Sequence, residues 1–101
     1  MSPETGKALW RCLHAYAWTF PESATSEDQA RARAWLEWFS QAVDEASTQS
    51  CHCARHWRAI CAAHPPNLRG AAEFFAWTVE AHNQVNVRLG KPRVCYPSTA
   101  F

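Results

Sequence analysis

The sequence lacks the features that mark several broad classes of protein. No uncharged apolar run approaches the roughly 18 residues of a membrane-spanning helix. The net charge is only +1 and no basic run is present, which argues against a nucleic-acid-binding protein. The N-terminal segment MSPETGKALW has no apolar signal core, so nothing visible directs the chain to a secretory pathway. Internal repeats and low-complexity segments are also missing, and we therefore expect an ordinary folded domain.

The length of the chain, 101 residues, suits one domain spanning residues 1–101. This size is near the lower end of what can bury an adequate core alone, so we expect a disulfide, a bound cofactor or a partner subunit to add stability. Six tryptophans suit a core, and a flat cofactor would also need aromatic walls. The odd number of cysteines leaves at least one thiol free. They are Cys12, Cys51, Cys53, Cys61 and Cys95.

Hydrophobic periodicity predicts four helices joined by short loops, which indicates an all-α fold: an antiparallel four-helix bundle with a short C-terminal turn. The first two helices are expected over about 5–20 and 26–43, and the third from Cys51 or Cys53 to about 63. Ser26 and Gln29 have capping-box spacing, and Asn67 offers a cap for the fourth helix. Two stripes on the first helix predict two neighbouring elements. They are Leu9, Leu13, Ala17 and Phe20 on one side, and Trp10, His14 and Trp18 on the other.

The segment from Phe74 to Pro92, FFAWTVEAHNQVNVRLGKP, combines an amphipathic helix with a polar stripe. Gly90 supplies the left-handed position expected just past the last turn. His82 and Asn86 lie one turn apart with Asn83 beside them, which places an imidazole and two carboxamides together. The apolar wall of this helix is predicted to comprise Phe74, Trp77, Thr78, Ala81, Val85 and Leu89.

The same segment contains a motif. The pattern Trp-x4-His-Asn-x-Val-Asn-x2-Leu-x-Lys, from Trp77 to Lys91, resembles the signature of the Erv/ALR family of FAD-linked sulfhydryl oxidases. These are small helical flavoenzymes that form disulfides and pass the electrons to oxygen. Gly6-Lys7-x2-Trp10-x3-His14 resembles the family's first-helix motif, and Cys53-x2-His56 resembles the second half of its active-site CxxC-x2-His. The resemblance covers roughly residues 5–96.

The resemblance implies bound FAD and a thiol-oxidase reaction, in which two thiols of a protein substrate become a disulfide and oxygen or another acceptor takes the electrons. It also implies a structural disulfide between Cys61 and Cys95 and a homodimer formed through the first two helices. The positions implied to hold FAD are Lys7, Trp10, His14, His56, Trp77, His82, Asn83, Asn86, Arg88 and Lys91, with the three cations near its phosphates.

Neither tail contains an extra CxxC or CxC shuttle, unlike longer cellular members of the family. The chain is therefore similar to the minimal enzymes of large DNA viruses, or to the core of a mitochondrial enzyme. The expected location is accordingly the mitochondrial intermembrane space or, for a viral protein, the host cytoplasm or the virion.

The redox cysteines depart from the family pattern. Cys53 occupies the place of the second, flavin-proximal cysteine, at a helix N-terminus where the dipole favours the thiolate. The first cysteine would fall at position 50, where Ser50 stands, and Cys51 is one residue late. Either Cys51 and Cys53 form a CxC pair, which is geometrically possible in a turn, or Ser50 replaces the first cysteine and Cys51 is incidental. We favour the CxC pair because a longer preceding loop indicates local remodelling.

Three other functions compete with the oxidase. Cys51, His52, Cys53 and His56 are residue types that bind zinc, but their spacing matches no closed structural site. A Cys-His hydrolase would need an orienting acid and an oxyanion motif, and neither is visible. The rival from another class is a redox-silent helical subunit with a structural or assembly role, which the serine at position 50 keeps open.

Overall fold

The computed structural model describes residues 3–47 and 53–90, and these form four α-helices. The helices are α1 (Pro3–Trp18), α2 (Ser26–Ala46), α3 (Cys53–Ala63) and α4 (Ala71–Arg88). The predicted all-α fold is confirmed, whereas the expected C-terminal turn falls in residues 91–101, outside the described ranges. None of the four helices combines the length and the hydrophobicity that a membrane crossing requires.

The helices form an antiparallel bundle, as predicted. Helix α1 packs chiefly against α4 and α2 against α3, while contacts between α3 and α4 join the two pairs. Along α1 and α4 the contacts run in opposite directions, because Trp10 stacks on His82 and Trp18 meets Phe75 edge-on. This arrangement brings the motif residues of the first and last helices to one seam.

The core confirms the first stripe of α1, because Leu13, Ala17 and Phe20 are buried and Leu9 packs against them. On α4 the predicted apolar wall is buried in its first half but not at its end, where Leu89 is 57% exposed. Leu89 is the residue after the last helical turn, so it no longer faces the bundle. The remaining core residues are Ala32, Phe39, Val43, Trp57, Ile60, Leu68, Phe74, Trp77 and Ala81.

The capping box of α2 lies one residue earlier than predicted. Thr25 is the N-cap: its hydroxyl accepts from the amide of Asp28 at 3.1 Å, and the Asp28 carboxylate accepts from the amide of Thr25 at 2.9 Å. The prediction of Ser26 with Gln29 was wrong because aspartate closes the box as glutamate or glutamine does, and two overlapping Thr/Ser patterns were available. The helix also continues to Ala46 rather than ending near Val43.

The N-terminus of α4 is braced by backbone, not by Asn67. The Asn67 side chain accepts from the amide of Arg69 within its own turn, and the N-cap is Gly70, which has no side-chain cap. The loop before α2 supplies the brace instead, because the amide of Ala71 donates to the carbonyl of Pro21 at 2.9 Å. A second bond joins the amide of Ala24 to the carbonyl of Arg69 at 2.9 Å. These bonds hold the α1–α2 loop against the start of α4.

This close approach predicts that Gly70→Ala destabilises the fold. A Cβ on Gly70 would lie 2.0 Å from the carbonyl oxygen of Glu22, so two braced backbone segments would have to separate. We expect the free energy of unfolding in urea to fall by about 3 kcal/mol, the upper part of the usual cost of overpacking. Gly90→Ala is the matched control, because Gly90 has a φ of 74° but open space around it. Its cost should be the smaller one of a left-handed alanine, about 1 kcal/mol. Equal costs at the two positions would contradict the steric argument.

Candidate functional site

A chain of hydrogen bonds crosses the seam between α1 and α4. His14 is fully buried, and its Nδ1 lies 2.9 Å from the hydroxyl of Thr78. Its Nε2 lies 3.1 Å from Nδ1 of His82, one turn further along α4. The Thr78 hydroxyl also donates to the carbonyl of Phe75 at 2.7 Å. The two histidines predicted from separate helices are therefore in direct contact.

Aromatic rings enclose this pair. The indole of Trp10 lies parallel to the His82 imidazole, with centroids 4.0 Å apart and planes 8° from each other. The same indole lies 5.9 Å from the His14 ring and meets Trp57 edge-on at 5.8 Å. Trp10 thus forms a flat wall between the polar pair and the aromatic core, an arrangement suited to a flat ligand ring.

Two further tryptophans are fixed by their indole N–H groups. Trp57 donates to the hydroxyl of Ser40 at 2.9 Å, which ties α3 to α2. Trp77 donates to the backbone carbonyl of His64 at 2.7 Å, which ties α4 to the residue following α3. The two rings meet edge-on at 6.0 Å, so Trp77 is joined to Trp10 through Trp57. Both indoles are buried, and their polar edges are occupied by these bonds.

The other predicted residues of α4 occupy its C-terminal half. Asn83 and Asn86 are both buried, which is unusual for carboxamides outside a hydrogen-bonded site. Arg88 lies in the last turn and is close enough to α3 to act on His56. Burial, with the charge of Arg88 as the smaller cause, lowers the pKa of His56. The charge of Arg88 in the last turn of α4 therefore acts on His56 in the first turn of α3.

The cation predicted on α1 is exposed, and several other predicted residues lie outside the part of the chain that the structure describes. Lys7 is exposed in the N-terminal half of α1. Cys53 is the first residue of α3, one turn before His56, so the predicted position at a helix N-terminus is confirmed for its backbone. Its side chain lies outside what the structure describes, as do Ser50, Cys51, His52, Lys91 and Cys95. Among the described side chains, no group of three metal-binding residue types is placed to hold an ion.

The two other cysteines have different environments. Cys61 is half-buried, and burial raises the pKa of its thiol to about 11, with the charge of Arg58 acting in the opposite direction. A thiol held neutral in this way is a poor nucleophile, which suits a structural cysteine better than a redox-active one. Its predicted partner is outside the described residues, so the disulfide stays a prediction. Cys12 is exposed on α1.

Thr78 and Trp57 were not among the predicted site residues. Thr78 had been assigned to the apolar wall of the fourth helix, yet its hydroxyl contacts His14 directly. Its spacing of four residues from His82 was a usable signal, because a hydroxyl and an imidazole one turn apart face the same neighbour. Trp57 was not singled out in the sequence, and no feature of the sequence placed it against Trp10.

The burial of His14 predicts a loss of stability in mild acid. Burial, followed by the neighbouring His82, lowers the pKa of His14 to about 4, against about 6.5 in an unfolded chain. Between these values the unfolded chain takes up a proton that the folded protein does not, so stability falls as the pH falls through this window. We expect His14 alone to lower the free energy of unfolding by about 2 kcal/mol between pH 7.5 and pH 5.

Urea unfolding at the two pH values measures this effect. His14→Gln should lack that part of the pH dependence, whereas His64→Gln, at an exposed residue beyond α3, should retain it. The same pH dependence in the wild type and in His14→Gln would contradict the assignment.

Comparison with known proteins shows that the chain belongs to a protein family. Residues 7–100 match the model of the Erv1 / Alr family. The chain is 34% identical over 90 residues to the FAD-linked sulfhydryl oxidase ERV1 of Oryza sativa, covering 88% of this chain and 43% of that protein. It is 35% identical over 91 residues to the mitochondrial FAD-linked sulfhydryl oxidase erv1 of Schizosaccharomyces pombe, covering 88% and 47%. The chain thus spans less than half the length of these two relatives.

A viral relative and a solved structure are similar over a larger share of their own length. The FAD-linked sulfhydryl oxidase of African swine fever virus (isolate Kenya 1950) is 30% identical over 86 residues, covering 85% of this chain and 68% of that protein. The crystal structure of the FAD binding domain of Erv1 from Saccharomyces cerevisiae superimposes with a TM-score of 0.78 at 26% identity. That match covers 92% of this chain and 84% of the other.

Proposed function

Because the chain belongs to the Erv1/Alr family, we propose that it is a FAD-linked sulfhydryl oxidase. Two thiols of a protein substrate would be joined in a disulfide, and their electrons would pass to oxygen or another acceptor. The observation that supports this most is the seam between α1 and α4, where stacked Trp10 and His82 lie beside buried His14. When bound, FAD supplies the two-electron acceptor for this chemistry.

The residues at the seam fit FAD by their chemistry. A flat ring system needs an aromatic wall to lie against. Trp10 and His82 are stacked with centroids 4.0 Å apart, so no ring fits between them and together they form one such wall. Ring nitrogens and ribose hydroxyls need hydrogen-bonding partners, and the buried carboxamides of Asn83 and Asn86 can both donate and accept. Within the described residues no buried side-chain nitrogen or oxygen lacks a hydrogen-bond partner.

The other predicted cofactor-binding residues would contact the flavin, support its aromatic wall or lie near its phosphates. His56, half-buried at the start of α3, would contact the flavin, and Trp77 would back the aromatic wall through Trp57. The residues proposed to lie near the phosphates are Lys7, Arg88 and Lys91. These long cationic side chains can reach a phosphate while remaining in water.

The redox pair is proposed to be Cys51 and Cys53. Cys53 begins α3, and the partial positive charge of a helix N-terminus stabilises the thiolate that reacts. Cys51 would exchange with the thiols of the substrate, each exchange passing one disulfide from the enzyme to the substrate. The alternative is that Ser50 stands where the exchanging cysteine of the family would be. The redox-silent subunit has no observation in its favour.

We also propose that the chain is a single domain that forms a homodimer through α1 and α2. Support for the dimer comes from Trp38, which is 53% exposed on α2, next to the stacked pair of Tyr16 and Trp35. An exposed indole on a helix face is a common feature of protein interfaces. Analytical ultracentrifugation at micromolar concentration tests this proposal, and a monomer under those conditions would contradict it.

The proposed structural disulfide joins Cys61 to Cys95, and mass mapping of non-reduced peptides would detect it. Two free thiols at these positions in oxidised protein would exclude it. The proposed location follows the two kinds of relative: the mitochondrial intermembrane space or, for a viral protein, the host cytoplasm or virion. Sequencing of the source genome around this gene distinguishes them.

The proposed activity is tested by oxygen uptake. Purified protein supplied with FAD and a small dithiol should consume oxygen in proportion to enzyme concentration, and the dithiol should be recovered as its disulfide. Heat-denatured protein with the same FAD gives the background rate. A folded, FAD-loaded protein with no rate above that background would overturn the oxidase assignment.

A further inference from the structure

A groove lies between α2, α3 and the loop that follows α3. Its volume is about 450 Å³, a size that suits a small ligand or a few side chains. The most buried residues that line it are Trp57, Trp77 and Leu68, and half-buried Leu36 and Cys61 line it as well. Apart from Trp77, no described residue assigned to the cofactor lines this groove. It is therefore available for a role that the proposed reaction does not use.

The polar groups of the groove are already bonded or held neutral. The indole N–H groups of Trp57 and Trp77 have acceptors on α2 and just after α3. Arg58 is paired with Asp44 at 2.6 Å. The thiol of Cys61 stays neutral because burial raises its pKa to about 11. Since burying an unpaired charge is costly, the groove favours an occupant that is uncharged and largely apolar.

The chain contains a segment of this chemistry. Residues 96–101, which lie outside the described ranges, read Tyr-Pro-Ser-Thr-Ala-Phe and contain two aromatic rings and no charged side chain. The nearest cations, Lys91 and Arg93, both precede Cys95. An aromatic side chain can remove about 150–250 Å² of surface from water, so placing Tyr96 and Phe101 in an apolar groove is favourable.

The preceding residues are long enough to bring this segment to the groove. Arg88, in the last turn of α4, is close enough to α3 for its charge to act on His56. Cys61 lies five residues further along α3, about 7.5 Å at the helical rise per residue. Residues 90–95 can span up to about 17 Å when extended. The chain can therefore reach Cys61 by residue 95, and the next residues then begin at the wall of the groove.

We propose that residues 96–101 occupy this groove, with the rings of Tyr96 and Phe101 against the indoles of Trp57 and Trp77. A covalent tether at Cys61 rests on the disulfide given under the proposed function, whereas the docking rests on the groove and on the chemistry of the segment. Docking covers apolar surface of α2 and α3 with residues that follow α4. It thus supplies part of the extra stability that a domain of this length needs.

Methyl NMR spectra of the purified full chain test the docking directly. We expect nuclear Overhauser cross-peaks between the methyl groups of Leu36 and Leu68 and the ring protons of Tyr96 and Phe101. A mixture of methyl-labelled and unlabelled protein identifies the chain that contributes the rings. Absence of these cross-peaks would overturn the proposal. Cross-peaks found only between different chains would also overturn it, because a second copy would then fill the groove.

Variants of the two rings give a second readout. Tyr96→Ala combined with Phe101→Ala should remove the cross-peaks and lower the midpoint of urea unfolding, because apolar surface returns to water. Leu89→Ala is the matched control, since Leu89 is apolar and 57% exposed but does not line the groove. It should leave the cross-peaks and the midpoint unchanged. A double variant with the midpoint of the wild type would contradict the docking.

Two further measurements separate this proposal from the others. If peptide mapping finds no bridge between Cys61 and Cys95 but the cross-peaks are present, the docking holds and the disulfide proposal fails. A bridge without cross-peaks overturns the docking alone. Oxygen uptake by the FAD-loaded protein is independent of both results, so an occupied groove in a protein without uptake would contradict only the oxidase proposal.

Discussion

Cys53→Ser is expected to abolish dithiol-dependent oxygen consumption while leaving FAD bound. Cys53 is the first residue of α3, one turn before His56, and a serine hydroxyl there cannot form a disulfide. The serine is nearly isosteric, so the bundle and the α1–α4 seam should be unaffected. Oxygen uptake with a small dithiol measures the first effect, and FAD released on denaturation measures the second.

The neighbouring positions decide which residue exchanges with substrate. If Cys51 is the exchanging thiol, Cys51→Ser should also stop turnover, because a disulfide on the enzyme can then no longer form. If Ser50 instead replaces the family's first cysteine, Cys51→Ser should change little and Ser50→Cys should create or increase activity. Cys12→Ser is the matched control, since that thiol is exposed on α1, and it should keep the full rate.

One combination of oxygen-uptake rates would contradict the assignment of the redox cysteines. If the parent, Cys53→Ser and Ser50→Cys proteins all bind FAD and all show only background oxygen uptake, these cysteines are not a redox pair. A Cys53→Ser protein with the parent's full rate would equally exclude Cys53 from the reaction.

Trp10→Ala is expected to have the second-largest effect, on both stability and FAD binding. The half-buried Trp10 ring contacts His14, His82 and Trp57, so its removal leaves a cavity at the seam. Full burial of a tryptophan gives a cost of 3–5 kcal/mol on truncation, and we expect about 2 kcal/mol for this half-buried ring. Without the indole, the cofactor loses a flat aromatic wall and the His82 ring loses the ring on which it stacks. We expect FAD binding to weaken by about 100-fold, or about 2.7 kcal/mol.

The control for this variant is a second tryptophan on the same helix. Trp18 is 62% exposed and touches only the edge of Phe75 among the described ring contacts. Trp18→Ala should therefore change the urea midpoint and the FAD dissociation constant only slightly. If Trp10→Ala and Trp18→Ala bind FAD equally well, the seam is not the cofactor site.

The fourth helix shows which parts of the fold could be predicted from sequence. Its wall from Phe74 to Ala81 is buried as predicted, and Gly90 has the expected positive φ of 74°. Both signals are local, since they depend on helical periodicity and on the conformational freedom of one glycine. The N-cap could not be predicted in the same way. A glycine is needed at position 70 because the backbone of Glu22 approaches it closely, and this contact joins residues distant in sequence.

The same distinction applies to the candidate site, where some features follow from one helix and others depend on packing between helices. The stripe of His82 and Asn86 follows from spacing within one helix, and the family motif drew attention to Trp10 and His14. Their stacking and hydrogen bonding depend on how α1 lies across α4, and periodicity contains no information about that crossing. Thr78 was assigned to the apolar wall for this reason: its spacing shows that it faces inwards, but only the packed bundle shows that it faces His14.

The most direct test of the oxidase assignment is an anaerobic titration of the FAD-loaded protein with a small dithiol, followed by visible absorption. We expect the yellow absorption of bound FAD to be lost as dithiol is added and to return when oxygen is admitted, whereas the Cys53→Ser protein should keep its colour throughout. A wild-type protein that binds FAD at the seam but keeps the same absorption in excess dithiol would contradict the account.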